Sequence, residues 1–120
     1  MNLCLDVFCP NLQFDNFSID YINDEIQEPK VLLNCLHDLN EQVNQKNKLP
    51  CKKFKAVQDW LEINKHITNG SSAVVRVYYK KQNNIYYVHV SDKNYQKIVI
   101  NKLKIWKKQT PNYNNIFSSN

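Results

Sequence analysis

Two alternating stretches, Ala73 to Lys80 and Ile85 to Ser91, constrain this chain more than any other feature in it. Both are rich in β-branched and aromatic side chains, and Lys81-Gln82-Asn83-Asn84 separates them. Such a pair reads as an antiparallel hairpin. Successive side chains of a strand point to opposite faces. An even loop, of two residues or four, therefore aligns odd positions of the first strand with even positions of the second. Val75, Val77, Tyr79, Tyr86, Val88 and Val90 then form one apolar face. Val74, Arg76, Tyr78, Lys80, Ile85, Tyr87 and His89 form the other. A slip of one residue would mix the two sets, so the pattern specifies its own register.

Upstream the period is helical. Leu32, Leu36, Leu39 and Val43 recur at i, i+4, i+7 and i+11, widened by Leu33 and Cys35. This spacing predicts a helix with one apolar stripe. Pro29 suits its first position because the missing N–H has no partner there. Asp24, Glu25 and Glu28 favour the positive end of the helix dipole. Gln45 to Pro50 is the expected stop. Phe54, Val57, Trp60 and Leu61 predict a second helix over Cys51 to Ile67, ended by Asn69-Gly70 with Gly70 left-handed. Leu3 to Phe8 is expected as a short strand. Asn11 to Ile22 is expected to be irregular, with its aromatics pinned into the core. Gln96 to Lys107 is expected as a third strand because Ile98, Val99 and Ile100 cluster there, although Val99, Leu103 and Trp106 also suit a helix. The result is an α+β domain over residues 1–110: two helices, then an antiparallel hairpin or three-stranded meander, winged-helix-like in order. A loose tail follows over 111–120, with Ile116 and Phe117 docking.

At 120 residues and 42% hydrophobic, the chain has the material for one packed domain. No apolar run approaches the roughly 20 residues of a membrane span. Met1 to Phe8 holds Asp6 and no basic residue, unlike a secretory leader. An intracellular, reducing setting is therefore expected, in cytoplasm or nucleus. Cys4, Cys9, Cys35 and Cys51 then read as small hydrophobes, not disulfide partners. Eighteen Asn, with many Lys, Ile and Tyr, point to an AT-rich source genome, a bias shared by large DNA viruses, mobile elements and some protists.

Charge is divided along the chain. Met1 to Gln45 has Lys30 against eight acidic residues, a net −7, whereas Lys46 onward has fifteen basic residues against three acidic, a net +12. A molecule of this kind can offer its basic half to a polyanion or meet an acidic half of another copy.

Catalytic and metal signatures are weak. With Gly70 as its one glycine, the sequence has no phosphate loop or dinucleotide fingerprint, and no Gly-x-Ser-x-Gly elbow. Asp15, Asp20 and Asp24 are carboxylates of the type that holds Mg²⁺, without a supporting motif. Cys4, Cys9, Cys35 and His37 lack the spacing of a zinc site. No enzyme activity and no cofactor are expected.

Cations beside aromatic rings are the pattern that does carry chemistry, since bases stack on rings while phosphates meet Lys or Arg. Arg76, Tyr78, Lys80, Lys81, Tyr87 and His89 on the hairpin are the candidate nucleic-acid contacts. Lys97, Lys102, Lys104, Lys107 and Lys108, with Trp106, extend them, unless they serve as a solvated edge. A winged-helix arrangement would instead turn Lys52, Lys53, Lys55, Gln58 and Lys65 toward DNA, with Asp59 and Glu62 opposing phosphate. The expected function is a small non-enzymatic accessory domain binding DNA or RNA. The alternative is a protein-interaction or self-assembly component, and no membrane partner is expected.

Overall fold

The structure is a computed structural model, and it describes residues 4–43, 49–70, 73–109 and 112–117. Its centre is the expected hairpin, Val75–Gln82 (β4) with Ile85–Asp92 (β5), in a register that sets Val77 opposite Val90 and Tyr79 opposite Val88. The turn takes two residues, Asn83 and Asn84, with φ of 53° and 65°. Both are left-handed, a conformation Asn tolerates better than most side chains and one that matches strand twist. All six residues of the apolar face are buried.

Three further strands complete a mixed sheet: Leu12–Phe14 (β1), Cys51–Lys53 (β2) and Leu61–Ile63 (β3). The order is β1-β5-β4-β3-β2, with β1 parallel to β5 and the other pairs antiparallel. The helix expected over Cys51 to Ile67 is replaced by β2, a run of turns and β3. Val57 N–H bonds Phe54 O and Trp60 N–H bonds Val57 O, so consecutive three-residue turns produced the helix-like spacing of 54, 57 and 60. Asp59, at φ 72°, interrupts any continuous helix. Gly70 is left-handed at φ 93°, but it ends no helix: it follows Thr68, which forms an isolated bridge with Val74.

The expected helix from Pro29 is present as Lys30–Glu41 (α3), with Leu32, Cys35, Leu36 and Leu39 buried. Residues 44–48, where part of its stop was expected, lie outside the described residues, as does Leu3 of the expected first strand. Leu5–Phe8 is one helical turn (α1), and the stretch expected to be irregular forms β1 and Asn16–Asp24 (α2). Gln96–Gln109 is a helix (α4), not a strand. Asp92 accepts the Asn94 N–H and starts a 3-10 turn, Lys93–Tyr95, that runs into α4. Burial of Val99, Leu103 and Trp106 along one stripe overrides the β propensity of the isoleucines and valine.

The elements therefore interleave, and the fold is α+β without a two-helices-then-hairpin order or a winged-helix arrangement. One core joins α1, α2 and α3 to the apolar face of the hairpin, through residues such as Ile22, Leu36, Val77 and Val88. A second core fills the other face: Phe54, Val57 and Trp60 from the turns meet Tyr78, together with Leu103 and Trp106 of α4. Of the tail, residues 112–117 form a 3-10 turn, Tyr113–Asn115, and pack on this second face through Tyr113 and Ile116. Among the described residues no helix is long and apolar enough to cross a membrane.

Candidate nucleic-acid interface

The second sheet face is largely closed. Tyr78 is 1% exposed, its ring stacked on Phe54 at 4.4 Å, and burial pushes its phenol up to about 12. His89 is fully buried with Phe117 stacked over it at 4.2 Å. Neither ring can receive a base, which corrects the expectation that both lie open. Arg76 is engaged as well, with Nη1 3.0 Å from Oε1 of the buried Glu62. That ion pair offsets the charge expected to meet phosphate.

His89 instead belongs to a buried polar network. The Asp15 carboxylate accepts the Ser18 N–H at the start of α2, accepts the Ser18 hydroxyl at 2.6 Å and lies 2.9 Å from His89 Nδ1. Ser18 Oγ takes the Val90 N–H, and His89 Nε2 is 2.9 Å from Ser91 Oγ. With Nδ1–H directed at the carboxylate, Nε2 accepts the Ser91 hydroxyl, the tautomer this network selects. The order carboxylate, imidazole, hydroxyl is that of a catalytic relay. All four residues have no exposed surface, however, so no substrate reaches Ser91. The network ties α2 to β5. Tyr21 adds a second tie by donating its hydroxyl to Asp92 at 2.9 Å.

Four of the expected residues do converge. Lys80 and Tyr87 are cross-strand neighbours, and α4 runs back along the second face until its last turn reaches them. There a pocket of about 530 Å³ is lined by Lys80, Tyr87, Lys107, Trp106 and Tyr113, with amides from Gln13, Gln82 and Asn112. Tyr87, Trp106 and Tyr113 are mutually packed, with ring centroids 5.0, 5.2 and 5.3 Å apart. Tyr87 is half-buried and Trp106 and Tyr113 are buried, so Tyr87 presents the open ring surface. Lys80 Nζ stands 5.8 Å over the Trp106 ring. Lys107 Nζ donates to Asp59 at 3.1 Å. Burial, then the Asp15 charge, pushes the Tyr113 phenol up.

The remaining lysines are spread out. Lys97 and Lys104 are exposed on the outward side of α4, Lys102 is half-buried, and Lys81 lies on the opposite side of the hairpin with its Nζ 5.7 Å over Tyr86. Lys108 and Lys93 join the exposed set. No acidic residue follows Asp92 in the sequence, so every charged residue of α4 is a lysine. Asp20, Asp24, Glu25 and Asp38 are exposed on α2 and α3. Gln13, Asn112 and Tyr113 were not among the expected contacts. Trp106 was signalled by its neighbouring lysines, whereas Gln13 arrives through the parallel β1–β5 pairing, which leaves no local mark.

Other sites are poorer. A groove of about 650 Å³ along β1 and the hairpin turn has Asp6 as the one charged residue in its lining. Among the described residues, no three His, Cys, Asp or Glu side chains converge as a metal site, and Asp15 is committed to His89 and Ser18. The cysteines are free, Cys9 and Cys35 buried and Cys4 and Cys51 exposed. Comparison with known proteins yields no match to a family model, a curated protein or a solved structure.

Proposed function

We propose that this protein is a small non-enzymatic domain that binds nucleic acid through the basic layer built by α4 and the adjoining end of the hairpin. The supporting observation is the division of charge between the layers. Lys93, Lys97, Lys104 and Lys108 are exposed with no acidic residue in their segment, while Asp20, Asp24 and Asp38 are exposed on α2 and α3; Asp59, exposed beside α4, is paired with Lys107. Such a layer attracts a phosphate backbone and turns the acidic side away from it. Lys80 adds a cation at the pocket. Arg76, Tyr78 and His89 take no part.

Titration of labelled oligonucleotides at low and moderate salt tests this reading. Binding should be micromolar-scale and weaken steeply with salt, because each neutralised phosphate releases a counterion. The variant Lys97→Glu/Lys104→Glu/Lys108→Glu changes only exposed side chains, so it should keep the fold and lose most of the affinity. Wild-type protein that binds no oligonucleotide at low salt refutes the proposal.

One observation favours a second reading, assembly through protein contacts. Ile98 and Ile105 are 53% and 48% exposed, one heptad apart among the α4 lysines. This combination suits an acidic, partly apolar protein surface, including the α2–α3 side of another copy. Light scattering that detects a dimer or larger species, dissociating in salt, would support assembly over nucleic-acid binding.

A further inference from the structure

We infer that the pocket at the C-terminal end of α4 takes one unpaired base, so that the protein prefers single-stranded nucleic acid to duplex. This inference rests on the proposed function and specifies its ligand. Four features of the site carry it.

The first is size. At about 530 Å³ the pocket lies within the roughly 300–1,000 Å³ of sites that enclose small molecules. It is a concave site beside a convex basic helix. A duplex offers such a concavity only its backbone, unless a nucleotide is pulled from the stack at a cost of a few kcal/mol.

The second is the lining. Tyr87 supplies a ring surface backed by Trp106 and Tyr113, and every base has a flat face that stacks on such a ring. Gln82 is exposed at the rim; Asn112 beside it keeps its amide N–H donors while its Oδ1 accepts the Asn114 N–H, and Gln13 keeps its Oε1 while its Nε2 donates to Asn114. Amide side chains carry both donors and acceptors, which suits them to a base edge.

The third is the position of the cations. Lys107 is held by Asp59, whereas no carboxylate among the described residues is paired with Lys80. Lys80 is therefore the pocket's available cation.

The fourth is the direction of α4. Its C-terminal end, which carries a partial negative charge, abuts the pocket. A phosphate deep in the pocket would face that end. An uncharged base would not. The base accordingly fills the pocket, and its phosphate stays at the rim near Lys80, continuous with the α4 lysines.

The test compares three DNA probes of equal phosphate count at low salt: a single strand, the same strand with abasic sites, and a short duplex. The intact single strand should bind tightest. Removing the bases should weaken it by roughly 5- to 150-fold, the range for loss of one base–aromatic contact. The salt dependence of the intact and abasic strands should match, since their phosphate contacts are shared. Gln82→Ala alters one exposed residue and should weaken the single strand while leaving duplex affinity unchanged. Tyr87→Ala, checked for folding by circular dichroism, should abolish the gap between intact and abasic strands. If all three probes bind equally and depend on the α4 lysines, the pocket inference falls and the proposed function stands. If none binds, both fall.

Discussion

Asp15→Asn is the sharpest probe of how this fold is held together. Asp15 ends the link from β1, caps α2 through the Ser18 N–H, and meets His89 of β5 across 74 residues of chain. Asn caps a helix about as well as Asp, so the substitution keeps the cap and removes the charge. The remaining loss is that of the hydrogen bonds to a charged acceptor, about 1.5–3 kcal/mol, because the Asn amide places a donor where the carboxylate accepted from Ser18 and His89. Asp15→Ala should lose about 1 kcal/mol more, the ordinary value of a cap. A domain of this size has about 5–15 kcal/mol in total, so either change removes a large fraction of it. Urea unfolding followed by tryptophan fluorescence and far-ultraviolet circular dichroism measures both. Ser91→Ala should cost about 1–3 kcal/mol, by leaving His89 Nε2 buried without its partner. An Asp15→Asn midpoint within 0.5 kcal/mol of wild type would show that the carboxylate contributes shape and not charge, and would refute the reasoning.

Stability should fall in alkali. Burial pushes the Cys9 thiol up from its ordinary 9.0 to about 12, so between these values the unfolded chain loses a proton that the folded chain keeps. That group stabilises the fold fully below pH 9 and loses its contribution as pH rises toward 12, at up to about 1.4 kcal/mol per pH unit. Tyr78 acts in the same direction from 10 to about 12. Unfolding curves at pH 8 and 11 check the trend, and identical stability at both refutes it. Gly70→Ala should destabilise by about 1–3 kcal/mol, since φ 93° disfavours any side chain and a Cβ there would lie 2.8 Å from Gln27 Cβ. Thermal unfolding of this variant, with a melting point at or above wild type, would contradict that.

The parts legible in the sequence are those governed by neighbours along the chain. The hairpin register follows from alternation alone, and α3 from a stripe of leucines with a proline at its start. Phe54, Val57 and Trp60 misled because turns of three residues and helices of 3.6 place side chains at similar intervals over so short a span. Ile98, Val99 and Ile100 misled for another reason. Their local preference is for strand, but Val99, Leu103 and Trp106 had a whole sheet face to cover, and burial outweighs propensity. That face was itself the source of the error at the site. Arg76, Tyr78 and His89 look like an open binding surface only until Glu62, Phe54 and Phe117 are placed against them and α4 beside them.

The pairing of β1 with β5 explains why the remaining site residues could not be found in advance. Leu12, Gln13 and Phe14 are too few to announce a strand, yet their parallel register sets Gln13 beside Tyr87 and carries the chain on so that Asp15 reaches His89. One tertiary contact thus settles two outcomes, an amide at the pocket and a sealed polar network. It also divides the chemistry of the second face. Near β5's end, Asp15, Ser18 and Ser91 satisfy His89 internally, which leaves it nothing to offer a ligand. Near the hairpin turn, Lys80 has no acidic partner to satisfy it among the described residues, and Tyr87 keeps part of its ring in solvent. Availability for binding therefore follows exposure together with the lack of a carboxylate partner, and at this end of the face Lys80 and Tyr87 combine the two beside the pocket.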